Sequence, residues 1–126
     1  MTTSPANTVV WSEIPVRDLD RGIAFYSAVF GFDMKIDDSG PNPMASMTSM
    51  EDEGISGHLY PGEPAQGGSG PTIHLLVPDT LEDAADRCRK AGGTVKGDPI
   101  AIPPGRFQYA VDPDGNSIGM FEANKG

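Results

Sequence analysis

The chain contains only two histidines, His58 and His74. Histidine titrates near neutral pH, so each is a candidate for proton transfer or metal binding. Glu13 stands 61 residues before His74, and that interval recurs elsewhere in the chain. A carboxylate opposite an imidazole suits general acid–base work on a small substrate. The same two groups can equally be a structural hydrogen-bonded pair that satisfies two buried polar side chains. Glu13, His58 and His74 together form a chemically sensible metal-ligand set. Side chains alternate along a strand, so residues two apart share a face. Trp11 then shares a face with Glu13, Thr72 with His74, Tyr60 with His58, and Phe121 with Gly119.

An internal repeat supplies the elements that position these residues. Val16-Arg17-Asp18 is echoed by Val77-Pro78-Asp79, Gly31 by Gly92, and Glu51-Asp52-Glu53-Gly54 by Asp112-Pro113-Asp114-Gly115, each 61 residues apart. Three landmarks at one offset divide the chain into halves at 9–60 and 72–122, with 61–71 as a Gly- and Pro-rich linker expected to be a mobile surface segment. In the first half, Val9–Val16 reads as a strand, and Asp18 as the cap of a helix whose apolar face holds Ile23, Tyr26 and Phe30. Gly31 ends that helix. Short strands are expected near 32–36, 44–50 and 55–60. In the second half, Thr72–Val77 is the strand and Asp79 the cap, with Glu82 completing a capping box. Leu81, Ala84, Ala85 and Cys88 form the buried helix face, Gly92 is the stop, and strands are expected near 94–98, 106–112 and 117–122. Arg106 beside a Pro-Gly loop is either an anion-binding group or a solvated arginine. Met44, Met47 and Met50 read as gap-fillers of the core.

Length and charge set the outer limits. A chain of 126 residues reads as one domain, 1–126, able to bury a core without disulfides. Its net charge of −9 argues against nucleic-acid binding, which needs clustered Lys and Arg. No apolar run approaches the roughly 20 residues of a membrane span, and Met1–Thr8 shows no signal-peptide pattern. A single cysteine excludes an intrachain disulfide and fits a reducing cytoplasm, the expected location.

Two stretches carry a family resemblance. Glu13-Ile14-Pro15-Val16-Arg17-Asp18-Leu19-Asp20-Arg21, continued by Phe25-Tyr26 and Val29-Phe30-Gly31-Phe32, resembles the opening of glyoxalase/bleomycin-resistance/dioxygenase (vicinal oxygen chelate) proteins. Asp112-Pro113-Asp114-Gly115-Asn116 followed by Ile118 resembles their closing turn and last strand. The resemblance implies an α+β fold of two βαβββ modules paired into a curved mixed sheet around a cup.

It also implies metal ligands at set positions. Those positions fall here on Trp11, Thr72, Gly119 and His58. The first three are not metal ligands, so no metal and no other cofactor is expected at the family site. The cup face would then present Glu13 and His74 as a catalytic acid/base pair, with Trp11, His58, Tyr60, Thr72 and Phe121 as ligand-binding residues. Three functions remain open. The first is a small-molecule-binding, metal-independent enzyme of lyase or isomerase type. The second is a non-catalytic drug-sequestering protein of bleomycin-resistance type. The third is a metal enzyme with a displaced site at Glu13, His58 and His74. A homodimer is expected.

Overall fold

The computed structural model describes residues 11–48 and 55–124. Ten elements run in the order β1 (Ser12–Val16), α1 (Leu19–Phe30), β2 (Ile36–Asp37), β3 (Met44–Ser46), β4 (Gly57–Pro61), β5 (Ile73–Leu76), α2 (Leu81–Lys90), β6 (Thr94–Ile102), β7 (Gly105–Val111) and β8 (Ser117–Ala123). They form two four-stranded mixed sheets, ordered β1-β4-β3-β2 and β5-β8-β7-β6. In each sheet the first strand of the module lies parallel to the last, and the remaining pairs are antiparallel. The βαβββ order is thus made twice, as the 61-residue offset predicts. Val9, Val10, Met50 and the 51–54 copy of the repeated turn lie outside the described residues.

Helix α1 starts and stops where its sequence says. The Asp18 side chain accepts from the Arg21 backbone N–H at 3.2 Å, and Gly31 closes the helix at φ 76° with its N–H donated to the Ser27 carbonyl. Its buried face holds Tyr26 and Phe30 as expected and takes in Leu19, Gly22, Phe25 and Val29 as well, while Ile23 is only partly buried. Gly22 matters because a Cβ there would press on Val16 and Leu59 at 3.1–3.2 Å. The helix lies close on β1 and β4 for want of that carbon.

Helix α2 departs from expectation at its start. Thr80, not Asp79, is the N-cap, its side chain accepting from the Asp83 backbone N–H. Asp79 is drawn instead to Arg87, at 2.7 and 2.9 Å. The Arg87 guanidinium also donates to the Val29 carbonyl at 3.0 and 2.9 Å, so one side chain ties α2 to the last turn of α1. Glu82 makes no capping box. It pairs with Arg106 through two 2.9 Å hydrogen bonds, and Arg106 also donates to Glu122. Arg106 is therefore not an open anion site, because two carboxylates already occupy its partly exposed fork. Glu122 accepts from the Leu81 backbone N–H at 2.8 Å and so supports the start of α2 from β8.

These ion pairs are expected to lower stability in acid. Arg106 holds the Glu82 carboxyl down from an ordinary 4.5 to about 2. Glu122 is lowered first by the Leu81 N–H and then by Arg106, and Asp79 is lowered by Arg87. A carboxylate with a depressed folded-state pKa stabilises the protein above its unfolded pKa and loses that contribution as pH falls through the folded value. Stability measured by urea unfolding should therefore be flat from neutrality to about pH 5 and fall from there toward about pH 2. Arg106→Gln should shrink that fall. An equal acid slope in the variant would contradict the assignment.

The core is one cluster shared by both modules, with Ile14, Val16, Tyr26 and Leu59 from the first and Leu75, Leu81, Ala110 and Met120 from the second. Cys88 is part of it, and burial pushes its thiol up to about 11, so it is a packing residue and not a nucleophile. The joint is polar at one point. Buried Asp112 accepts from Tyr26 Oη at 2.8 Å, from Asn116 Nδ2 at 2.8 Å, and from the backbone N–H groups of Asp114 and Asn116 at 2.9 Å. Asn116 Nδ2 also donates to the Pro15 carbonyl at 2.7 Å. Burial, and then the Asp112 charge, raise the Tyr26 hydroxyl well above its ordinary value, so it stays a donor. The 61–71 segment is mostly exposed and touches the fold at a few points. β4 runs to Pro61, Pro64 is buried, and Gly68 N–H donates to the Gly115 carbonyl at 2.8 Å. No helix among the described residues is long and apolar enough to cross a membrane.

Candidate functional site

Strand alternation decides what each sheet shows on the face away from its helix. In the first sheet Ile14, Val16 and Leu59 are buried in the core, so Glu13, Pro15, His58 and Tyr60 take the other face. In the second, Leu75, Ile118 and Met120 are buried, so His74, Leu76, Gly119 and Phe121 take the other face. Phe107 and Tyr109 on β7 join them, since they lie in register with Phe121 and Gly119.

The first face is organised around His58. The parallel β1–β4 register sets Glu13 directly beside His58. His58 Nε2 lies 3.1 Å from Glu13 Oε2, and Trp11 Nε1 donates to His58 Nδ1 at 3.0 Å. The rings of Trp11 and Tyr60 lie 5.9 and 6.2 Å from the imidazole. His58 is nearly buried while the Glu13 side chain is 65 % exposed. The register depends on Gly57, whose missing Cβ would overlap the Ser12 hydroxyl and backbone carbonyl.

The second face is an aromatic platform around His74. Its ring meets Phe107 edge-on at 5.3 Å and Tyr109 at 5.8 Å, and Phe107 meets Tyr109 edge-on at 5.3 Å. His74 lies over Gly119, its register partner on β8, where a Cβ would run into the imidazole. The residue that sequence shows only as a lost ligand position therefore seats a ring. Thr72 is engaged with the Ser117 hydroxyl. Apolar side chains on this face are open to solvent, with Leu76 60 % and Tyr109 42 % exposed, and Trp11 on the first face is 43 % exposed.

Sequence reasoning pairs Glu13 with His74, but the hydrogen bond of Glu13 goes to His58. His74 is held by rings and no bond joins it to Glu13 among the described residues. Nor do three of His, Cys, Asp and Glu gather into a metal-binding group among those residues, so Glu13, His58 and His74 are not assembled as one ligand set within the chain. Phe107 and Tyr109 were missed. Alternation along the expected strand at 106–112 was the signal that could have found them.

One cleft adjoins these faces and another lies on the opposite side of the sheets. The first, of about 140 Å³, lies at the junction of the sheets, lined by Glu13, Pro15, Ala65, Pro71, Ile73 and Ser117. A larger one of about 670 Å³ lies on the helix side and involves Arg17, Arg21, Ala24 and Ala28. It contains none of the residues above, and its Arg17 and Asp114 neutralise one another at 3.4 Å.

The model of the Glyoxalase/Bleomycin resistance protein/Dioxygenase superfamily matches residues 8–120. A "Glyoxylase-like domain-containing protein" of Didymella fabae is 29 % identical over 115 residues, covering 83 % of this chain and 85 % of that protein. Among solved structures, the antibiotic binding protein TnmS3 from Streptomyces sp. CB03234 is similar with 25 % identity and a TM-score of 0.61, covering 98 % of this chain and 99 % of its own. The fosfomycin resistance protein FosX from Listeria monocytogenes shares the fold at 16 % identity and a TM-score of 0.65, covering 100 % of this chain and 95 % of its own.

Proposed function

The chain belongs to the Glyoxalase/Bleomycin resistance protein/Dioxygenase superfamily, and from that premise we propose that it binds a small, flat organic molecule against the helix-free faces of its two sheets. The observation that carries the reading is the presence of an exposed carboxylate and partly exposed aromatic rings on these faces. Glu13 stands beside Trp11, His58 and Tyr60 on one sheet, and His74, Phe107, Tyr109 and Phe121 stand on the other. Similarity to an antibiotic binding protein over nearly the whole chain supports it.

The metal that enzymes of the family hold does not fit these residues. Trp11, Thr72 and Gly119 offer no ligand, and both ring nitrogens of His58 are engaged by Trp11 and Glu13. The reading is of a sequestering protein. A second reading, a metal-independent lyase or isomerase using Glu13 and His74, is supported by the Glu13 carboxylate oxygen that has no hydrogen-bond partner among the described residues.

The proposal includes a homodimer. Small-molecule sites usually enclose about 300–1,000 Å³, more than the junction cleft at Glu13 provides. A second copy laid over the exposed Leu76 and Tyr109 would cover apolar surface and deepen the site. A cytoplasmic location belongs to the same reading, supported by the single cysteine.

Calorimetric titration with flat aromatic compounds, followed by product analysis, tests the function. Saturable binding without turnover is expected. Turnover that Glu13→Gln abolishes while binding persists would replace sequestration by the enzyme reading. Sedimentation should show twice the 13.3 kDa chain mass, and a monomer at high concentration would reject the dimer.

A further inference from the structure

Chemistry fixes the direction of the hydrogen-bond chain on the first sheet. An indole nitrogen only donates, so the 3.0 Å bond from Trp11 Nε1 makes His58 Nδ1 an acceptor. The ring hydrogen must then sit on Nε2, where it points at Glu13 Oε2, 3.1 Å away. Both imidazole nitrogens are used, with no lone pair and no hydrogen left for a ligand.

What the chain presents outward is the carboxylate. One Glu13 oxygen is held by His58 and the side chain is 65 % exposed. An ionised carboxylate only accepts. Among the described residues, no Lys or Arg pairs with it. The rings of Trp11 and Tyr60 lie beside the imidazole, tilted and edge-on to it, and aromatic rings attract cations over their faces. The chain's net charge of −9 acts in the same direction at long range.

Resting on the reading of this face as a ligand site, we propose that the Trp11–His58–Glu13 chain makes it selective for flat aromatic molecules that carry a positive charge or an N–H donor, against the same ring system carrying a carboxylate. Glu13 is the group that touches the ligand. His58 and Trp11 are positioning residues that orient it.

The test compares proflavine, a flat aromatic cation, with an acridine carboxylate, the same ring system as an anion, on the full chain by calorimetry. Proflavine should bind at least about tenfold more tightly, the scale of one charge-assisted hydrogen bond. Glu13→Gln keeps the shape and should reduce the preference to about twofold or less. Trp11→Phe keeps a ring but removes the indole N–H, and nitrogen NMR reads its effect on His58 directly. The wild type should show the Nε2–H tautomer, and in the variant the Nδ1 resonance should leave its acceptor position while proflavine affinity falls. Equal affinities of the two probes, or a preference unchanged in Glu13→Gln, would overturn the selectivity while leaving the ligand site standing. A His58 spectrum unchanged in Trp11→Phe would overturn the relay. Failure of both probes to bind would overturn the site and the selectivity together.

Discussion

Replacing Asp112 by alanine should lower the unfolding free energy by about 3–5 kcal/mol, the largest single-residue loss expected in this fold. The carboxylate accepts four hydrogen bonds in a buried setting, from Tyr26, from the Asn116 side chain and from two backbone N–H groups. Alanine would leave those donors unpaired, and a buried unpaired polar group costs about 1–3 kcal/mol. The damage reaches both modules, because Tyr26 belongs to α1 and Asn116 also holds the Pro15 carbonyl of β1. Tyr26→Phe removes one donor and leaves Asn116 on the same oxygen, so its cost should be about 1–2 kcal/mol. Urea unfolding of the three proteins checks this. An Asp112→Ala variant within about 1 kcal/mol of wild type would mean that the joint is held by apolar packing alone.

Gly57→Ala should cost about 2–4 kcal/mol and remove ligand binding with it. The added carbon would meet the Ser12 backbone carbonyl, which cannot swing aside as a flexible side chain could. Ser12 and Gly57 are register partners, and the next pair along is Glu13 and His58. Separating β1 from β4 at that point pulls the carboxylate off the imidazole. The contrast is Gly40→Ala, where a Cβ meets nothing within 4 Å and stability should stay within about 0.5 kcal/mol. A Gly57→Ala protein with wild-type stability and wild-type affinity would show that the strand register does not govern the site.

The halves were legible in the sequence because the repeat is carried by residues with a backbone role. Asp18 caps a helix and Gly31 and Gly92 adopt left-handed conformations after helices, at φ 76° and 96°. Periodicity also located Leu81, Ala84, Ala85 and Cys88 as the buried face of α2. The start of α2 was one residue off, because Asp79 and Thr80 are both good caps and only the position of Arg87 decides between them.

The candidate site was legible by face but not by partner. Alternation puts Glu13 and His58 on the side away from the helices. Their contact depends on parallel pairing of two strands across 45 residues of chain. The repeat drew attention to equivalent positions in different modules, Glu13 and His74, whereas hydrogen bonds form between neighbours in one sheet. Gly119 carried no positive signal in the sequence either. Its meaning is the room it leaves for the His74 ring.

Trp11 is the only tryptophan in the chain and lies on the proposed ligand face, so its fluorescence reports occupancy directly. In a titration with proflavine, the account predicts saturable quenching of Trp11 emission. It also predicts that Glu13→Gln and His74→Ala each shift the midpoint by about tenfold, as loss of an anchoring contact does. Absence of saturable quenching up to millimolar probe would contradict a ligand site between these faces. So would quenching whose midpoint neither substitution moves.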